Sequence, residues 1–249
     1  MKTFEGRVAV VTGAAQGIGY AIAQKLLEEK LSKLAVLDWN GEAATAAAES
    51  LKAVNPDAEI LAVQCNIADE ANVNAAFAEI EEKLGGVDVL VNNAGITRDI
   101  MFHKMNFQQW DSVLKVNLYG TYNCCKAVMQ GMRDRCYGRI VNISSTVAYG
   151  NAGQANYSAT KGAIVSLTKT LAKEGARKNI TVNAIAPHAI DTAMMRSVPP
   201  EVLESVMNNH VMKRLGKPEE VAALVAFLAN EEAGYVSGTH IDCSGADRT

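Results

Sequence analysis

Arg7-Val8-Ala9-Val10-Val11-Thr12-Gly13-Ala14-Ala15-Gln16-Gly17-Ile18-Gly19 decides the fold. The run up to Thr12 is short, continuous and valine-rich, which is the pattern of a strand buried on both faces. The glycines follow at once, and a helical pattern from Tyr20 to Lys30 turns Ile22, Ala23, Leu26 and Leu27 inward. Strand, glycine loop and helix in succession give a glycine motif its meaning. Gly13 permits the tight turn, Gly17 lets backbone approach a diphosphate, and Gly19 lets the helix sit close to the sheet. The backbone through Gln16 and Ile18 then enters a helix whose free N–H groups and positive dipole end suit phosphate.

Outward from this stretch the same alternation repeats. A second strand, Leu34–Leu37, ends in Asp38, about 20 residues past the glycines, where an acidic side chain accepts hydrogen bonds from the adenosine ribose hydroxyls of NAD. No Arg or Lys occurs among Ala14, Ala15, Gln16, Trp39 and Asn40 to hold a 2′-phosphate, so the expected cofactor is NAD(H) rather than NADP(H). The competing reading of Asp38 is a cap on the next helix. That helix spans Gly41–Val54, and strands are expected at Ala58–Val63, Val87–Val91, 138–143, 180–186 and Ser237–Asp242. Asp69 caps a helix over 70–84, a long helix runs from about Trp110 to Arg135, and others cover about 156–177 and 218–230. Six or seven strands alternating with helices predict an α/β protein: a single-domain, doubly wound parallel sheet over 1–249, with the cofactor at the carboxyl ends of the strands.

Composition excludes several classes. At 249 residues, with 49% hydrophobic residues and a net charge of −3, the chain has material for a large core and no electrostatic reason to seek nucleic acid or an anionic membrane. No secretory leader or membrane-spanning run is visible, which points to a cytoplasmic protein. Five cysteines (Cys65, Cys124, Cys125, Cys136 and Cys243) without CxxC spacing read as reduced core thiols. The histidines at 103, 188, 210 and 240 are scattered, and no metal site is expected.

Chemistry concentrates in Asn156-Tyr157-Ser158-Ala159-Thr160-Lys161-Gly162. Tyr157 and Lys161 lie one turn apart on one helix face. An ammonium there favours the phenolate and draws the phenol's pKa down from about 10. Thirteen residues upstream of Tyr157, Ser144 ends the strand pattern Arg139–Ile143. A strand-end hydroxyl facing a Tyr/Lys pair can hold a carbonyl or alcohol oxygen for proton transfer.

The glycine loop with its leading Thr12, Asn92-Asn93-Ala94-Gly95, Ser144 and the Tyr157/Lys161 pair together resemble the short-chain dehydrogenase/reductase family, from about residue 5 to the C-terminus. The resemblance implies hydride transfer between a nicotinamide and a carbinol carbon. Tyr157 is then the general acid/base, Lys161 its modulator and a ligand of the nicotinamide ribose, and Ser144 the partner of the substrate oxygen. Asn117 is matched to a residue that loosens its helix and holds a water in the proton path. Asn66, where the family usually has Asp, and Ile67 are matched to the adenine contact. Asn93, Ala94 and Gly95 pass beside the cofactor, and Pro187 and Thr192 flank the nicotinamide. His188 replaces a family glycine, and the expectation is that it tolerates a left-handed backbone, narrows the space near the nicotinamide and alters substrate choice. A substrate lid is expected at about 188–215, with Met194, Met195, Met207 and Met212 beside Val198, Pro199 and Pro200.

Asn93–Asp99, His103-Lys104-Met105 and Gly138–Ser145 look most like 3-oxoacyl-thioester reductases, acting on acyl-carrier-protein or CoA substrates. Those enzymes mostly use NADPH, so Asp38 pulls towards a catabolic secondary-alcohol or hydroxysteroid dehydrogenase. Arg98, Lys104, Arg133 and Arg135 are candidates to meet a CoA or phosphopantetheine. By the same resemblance the 110–135 and 156–177 helices imply a homotetramer. A non-catalytic NAD-binding scaffold is the reading from another class, and the intact Asn117/Ser144/Tyr157/Lys161 set speaks against it.

Overall fold

The computed structural model of the protein describes residues 3–196, 198 and 200–247. Strands β1 (Val8–Thr12), β2 (Lys33–Asp38), β3 (Glu59–Gln64), β4 (Val89–Asn92), β5 (Gly138–Ile143), β6 (Ile180–Pro187) and β7 (His240–Cys243) form one sheet. All pairings are parallel, in the order β3-β2-β1-β4-β5-β6-β7. The order reverses between β1 and β4, and a crevice for a ligand opens at the carboxyl ends on either side of such a switch.

The valine run explains itself in this position. Ala9 and Val11 point into one apolar cluster and Val8 and Val10 into the other, and β2 does the same with Leu34 and Val36 against Ala35 and Leu37. Each Val or Leu side chain fully withdrawn from water contributes about 1.5–3 kcal/mol. Helices α1 (Gly17–Glu28), α2 (Gly41–Leu51) and α9 (Pro218–Ala229) cover the first face. Helices α3 (Glu70–Leu84), α5 (Gly120–Arg135) and the far part of α6 (Ala155–Gly175) cover the second.

Several boundaries move. Helix α1 begins at Gly17 rather than Tyr20, so the glycine loop is partly the helix's first turn. The last strand starts at His240; Ser237 instead accepts a hydrogen bond from Val182 N–H through its hydroxyl. Asp69 caps α3 as expected, its Oδ1 accepting from Ala71 and Asn72 N–H at 2.9 and 3.2 Å. The long helix expected over 110–135 is in fact α4 (Phe107–Val113), a π-helical stretch (Leu114–Tyr119) and α5. Asn117 sits in that π stretch, and a widened turn of this kind often marks a functional site.

Cys65, Cys124 and Cys125 are buried thiols, but Cys136 is exposed, in a left-handed conformation just past α5. Among the described residues no helix is long and apolar enough to cross a membrane. Between β6 and α9 the chain leaves the sheet through α7 (Ala193–Arg196) and α8 (Pro200–Asn209). This excursion is pinched at its base by a bridge between Ile190 and Gly216, with Gly216 N–H donating to Ala189 and Asp191 N–H to Gly216. Pro199 and the side chains of Met194 and Pro200 lie outside the described residues.

Candidate active site

Four connections emerge at the carboxyl ends of β1, β4, β5 and β6, and they bring the sequence-selected residues together. Gly13 has φ +64°, and a Cβ there would sit 2.9 Å from the Ala94 Cα. A Cβ at Gly19 would lie 2.2 Å from the Gly13 carbonyl oxygen. The loop, the start of α1 and the end of β4 are therefore in mutual contact, and only glycine fits. Thr12 Oγ1 accepts from both Asn93 and Ala94 N–H, while the Asn93 amide donates to the carbonyls of Thr12 and Gly13. Asn93 is thus a brace between two strand ends; its side chain faces the loop, not an open crevice.

At the start of α1 the Gln16 side chain makes no cap, and the first turn carries no acidic residue. Its N–H groups have no side-chain competitor for an anion, which fits a dinucleotide diphosphate. Asp38 ends β2 beside this loop, its carboxylate accepting from Ala15 N–H at 3.3 Å and Asn40 N–H at 3.1 Å. The α2 cap is Asn40, not Asp38. Asn66 Oδ1 already accepts from Ala68 N–H at 3.2 Å, so an adenine amino group has to use its second lone pair. Ile67 points its side chain away into the core, against Gly120 of α5, and only its backbone remains at the edge.

Tyr157 and Lys161 lie on the first turns of α6. Asn156, fully buried, ties this end down: its amide donates to the carbonyls of Arg98 and Gln109, and its oxygen accepts from Tyr157 N–H. Sequence reasoning passed over this residue; a polar side chain next to the motif and fated for burial was the available signal. Lys161 is 3% exposed, with Nζ donating to Ile143 O at 2.6 Å and standing 5.3 Å from the Tyr157 ring centroid. Burial lowers its pKa to about 8.

The phenol departs from expectation. The Tyr157 pKa is pushed up to about 12, first by burial and then by the Asp99 carboxylate, with a hydrogen bond to Ser145 working in the other direction. In the free protein the ammonium is engaged with a carbonyl, and desolvation of the phenolate outweighs it.

Ser144 is also corrected. Its hydroxyl donates to the Lys161 backbone carbonyl at 3.0 Å and faces α6, not the crevice. Ser145, one residue on, lies against Tyr157 and reaches the Pro187 carbonyl at 3.4 Å. The two serines are an adjacent pair whose side chains point to opposite sides, and the expected position, Ser144, is the one turned towards α6.

Asn117 is fully buried and grips Ile96 from both ends, Oδ1 accepting from its N–H at 2.8 Å and Nδ2 donating to its carbonyl at 3.0 Å. A Cβ at Gly95 would lie 3.2 Å from Asn117 Oδ1 and 3.7 Å from Lys161 Nζ, so Gly95 separates those two groups. Thr192 packs over the glycine loop, its Cγ2 3.6 Å from the Cβ position of Gly17.

His188 does not have the left-handed backbone allowed for it. Its N–H donates to Cys243 O, continuing the β6–β7 pairing, and its Nδ1 meets Thr146 Oγ1 at 2.8 Å. Burial holds its pKa below the usual range. Of the four basic candidates, Arg133 and Arg135 are at the wrong end: they donate to Glu174 O and Val87 O, at the amino edge of the sheet. Arg98 and Lys104 are exposed on the segment following Gly95.

Residues 13–245 match the family described as enoyl-(acyl carrier protein) reductase. The chain is 44% identical to an acetoacetyl-CoA reductase of Shinella zoogloeoides, over 96% of this chain and 97% of that protein. It is 43% identical to a 3-oxoacyl-[acyl-carrier-protein] reductase of Aquifex aeolicus, over 97% of each. The crystal structure of a levodione reductase superposes with a TM-score of 0.93 at 33% identity, covering 98% of both chains.

Proposed function

The chain belongs to the short-chain dehydrogenase/reductase family and is an oxidoreductase acting on a ketone and its secondary alcohol; from that premise we propose that it reduces a 3-oxoacyl thioester, on CoA or acyl carrier protein, with NADH. The observation that carries this reading is the meeting of the Tyr157 phenol and the Ser145 hydroxyl beside the buried Lys161 ammonium. Relatives above 40% identity over nearly the whole chain are named for such thioesters, which supports the substrate class.

Bound NADH supplies the hydride. Residues 13 and 16–19 hold the diphosphate on backbone N–H groups, Asp38 takes the adenosine ribose hydroxyls and Asn66 the adenine. Pro187 and Thr192 would hold the nicotinamide end, with Ala94 and Gly95 alongside. Ser145 donates to the substrate oxygen as negative charge develops. Tyr157 delivers the proton; with its pKa at about 12 it is fully protonated at neutral pH, the state that reduction requires. Lys161 has three N–H donors and spends one on Ile143 O. The others are available to the nicotinamide ribose and to the phenolate left after transfer. Asn117 fixes the wall at Ile96 and connects Lys161 to the proton supply. The excursion between Ile190 and Gly216 covers the substrate, and exposed Arg98 and Lys104 offer charge to the carrier's phosphates.

Asp38 supports a second reading, a catabolic secondary-alcohol dehydrogenase, because it suits NAD. A cytoplasmic homotetramer completes the proposal; the exposed Tyr119 and Tyr122 of the second helical face are its candidate contacts. The test is turnover with NADH and with NADPH over acetoacetyl-CoA, β-ketoesters, cyclic ketones and oxo-steroids. Fastest turnover of acetoacetyl-CoA with NADH is expected. A clear preference for cyclic ketones or oxo-steroids moves the assignment to the second reading, and NADH binding without turnover on any of them overturns catalysis.

A further inference from the structure

The lid's far end, the C-terminal tail and the end of β6 meet at three side chains that the sequence scatters: His188, His210 and Asp247. A ligand atom from each lies within 4.8 Å of the others. The two imidazole rings are tilted against each other with centroids 4.7 Å apart. The His210 ring is 4% exposed, and its Nδ1 faces Asp247 Oδ2. His210 Nδ1 is thereby paired with Asp247 Oδ2, but its Nε2, equally buried, makes no hydrogen bond. A buried imidazole nitrogen without a partner, turned among a second imidazole and a carboxylate, is costly unless something meets it.

We propose that His188, His210 and Asp247 bind a divalent transition metal ion of the zinc type, which fastens the lid and the tail to the wall of the active site. The donor set is right for this class: two imidazoles and one carboxylate with a fourth position for water. Each outer ligand is also already oriented. His188 directs Nδ1 at Thr146 Oγ1, which leaves Nε2 for the ion, and Asp247 spends Oδ1 on Val211 N–H, which leaves Oδ2. Partners of this kind on the far side of a ligand are the usual support of a metal centre. Zinc ligands stand about 2.0–2.2 Å from the ion, so His210 and Asp247, now in direct contact, must part to admit it while His188 closes in. His210 and Asp247 both sit outside the sheet, on segments already in contact: Met212 Sδ lies 3.0 Å from the Cβ position of Gly245. The ion therefore has slack to take up.

The inference does not depend on the thioester reading, because metal binding is measured without turnover. Protein freed of metal with EDTA is titrated with Zn²⁺ by calorimetry and with Co²⁺ by visible absorption. The expected result is one ion per chain, with the intense bands of four-coordinate cobalt. Asp247→Asn and His210→Gln should abolish stoichiometric binding. Thr146→Val, which removes the hydroxyl that orients His188, should weaken it about 10–100-fold and keep the fold, checked by circular dichroism. Absence of a stoichiometric site in the wild type, or equal affinity in wild type and Thr146→Val and Asp247→Asn, overturns the proposal and leaves a simple His–Asp ion pair.

Discussion

Two clusters face each other across the end of β6, and they were assembled in opposite ways. Tyr157 and Lys161 belong to one helical turn, so their proximity is dictated by local geometry alone. His188, His210 and Asp247 come from a strand end, the segment after α8 and the C-terminal tail, and nothing local relates them. The first cluster is fixed as soon as α6 forms. The second exists only when the excursion beyond Ile190 has come back and the tail has closed over it. The proposed proton chemistry thus rests on one helix, whereas the second cluster depends on long-range closure at the rim.

The sharpest way to break that contrast is Tyr157→Phe. Turnover should fall by about 10²–10⁴ while NADH binding, followed by fluorescence, persists; Asp247→Asn, on the other cluster, should leave the proton step in place. If the two variants lose turnover equally, the division of labour between the two clusters fails. Next comes the serine pair. Ser145→Ala should cost about 10²–10³ in kcat, whereas Ser144→Ala removes a buried bond to α6 and should lower stability by about 1 kcal/mol. The reverse order in kinetics and melting would reinstate Ser144.

A third measurement reads Lys161 through pH. Its pKa is near 8 in the folded protein against an ordinary 10.5. Between those values the unfolded chain holds a proton that the folded chain has released, so stability rises with pH across the window, by roughly 3 kcal/mol at most. Tyr157 acts in the opposite sense at higher pH: its folded pKa of about 12 exceeds the ordinary 10, so stability is lost from pH 10 upwards. Melting temperatures of wild type and Lys161→Met should diverge in favour of wild type from pH 8 to 10, and parallel curves would contradict the burial of the ammonium. The smallest effect is at the far end of the crevice, where Asp38→Ala should raise the NADPH-to-NADH ratio of kcat/KM by about tenfold, or 1.4 kcal/mol. An unchanged ratio would remove Asp38 from cofactor choice.

What was legible follows the range of the interaction. Valine runs, caps such as Asp69 and the Tyr157/Lys161 pair are local patterns, and each appears in the structure where expected. Ser144 turns towards α6 rather than the crevice, because a residue count cannot tell which of two neighbours faces which side. Arg133 and Arg135 were misplaced although the topology decides them: a crossover helix runs back along the sheet, so its last turn lies at the amino edge. The rise in the Tyr157 pKa depends on desolvation, which no spacing reports. The π-helical stretch at Asn117 was indicated only through the family resemblance, since polarity inside a helix does not specify a widened turn.

The pinch between Ile190 and Gly216 ties the two ends of the excursion together where it leaves and rejoins the sheet. The entropy of closing such a loop depends only weakly on its length, with each doubling costing about 0.6 kcal/mol. Residues can therefore be added to or trimmed from it at small cost to the open sheet and helices beneath, so new substrate shapes are reachable by resizing this one appendage while β6 and α9 stay where they are.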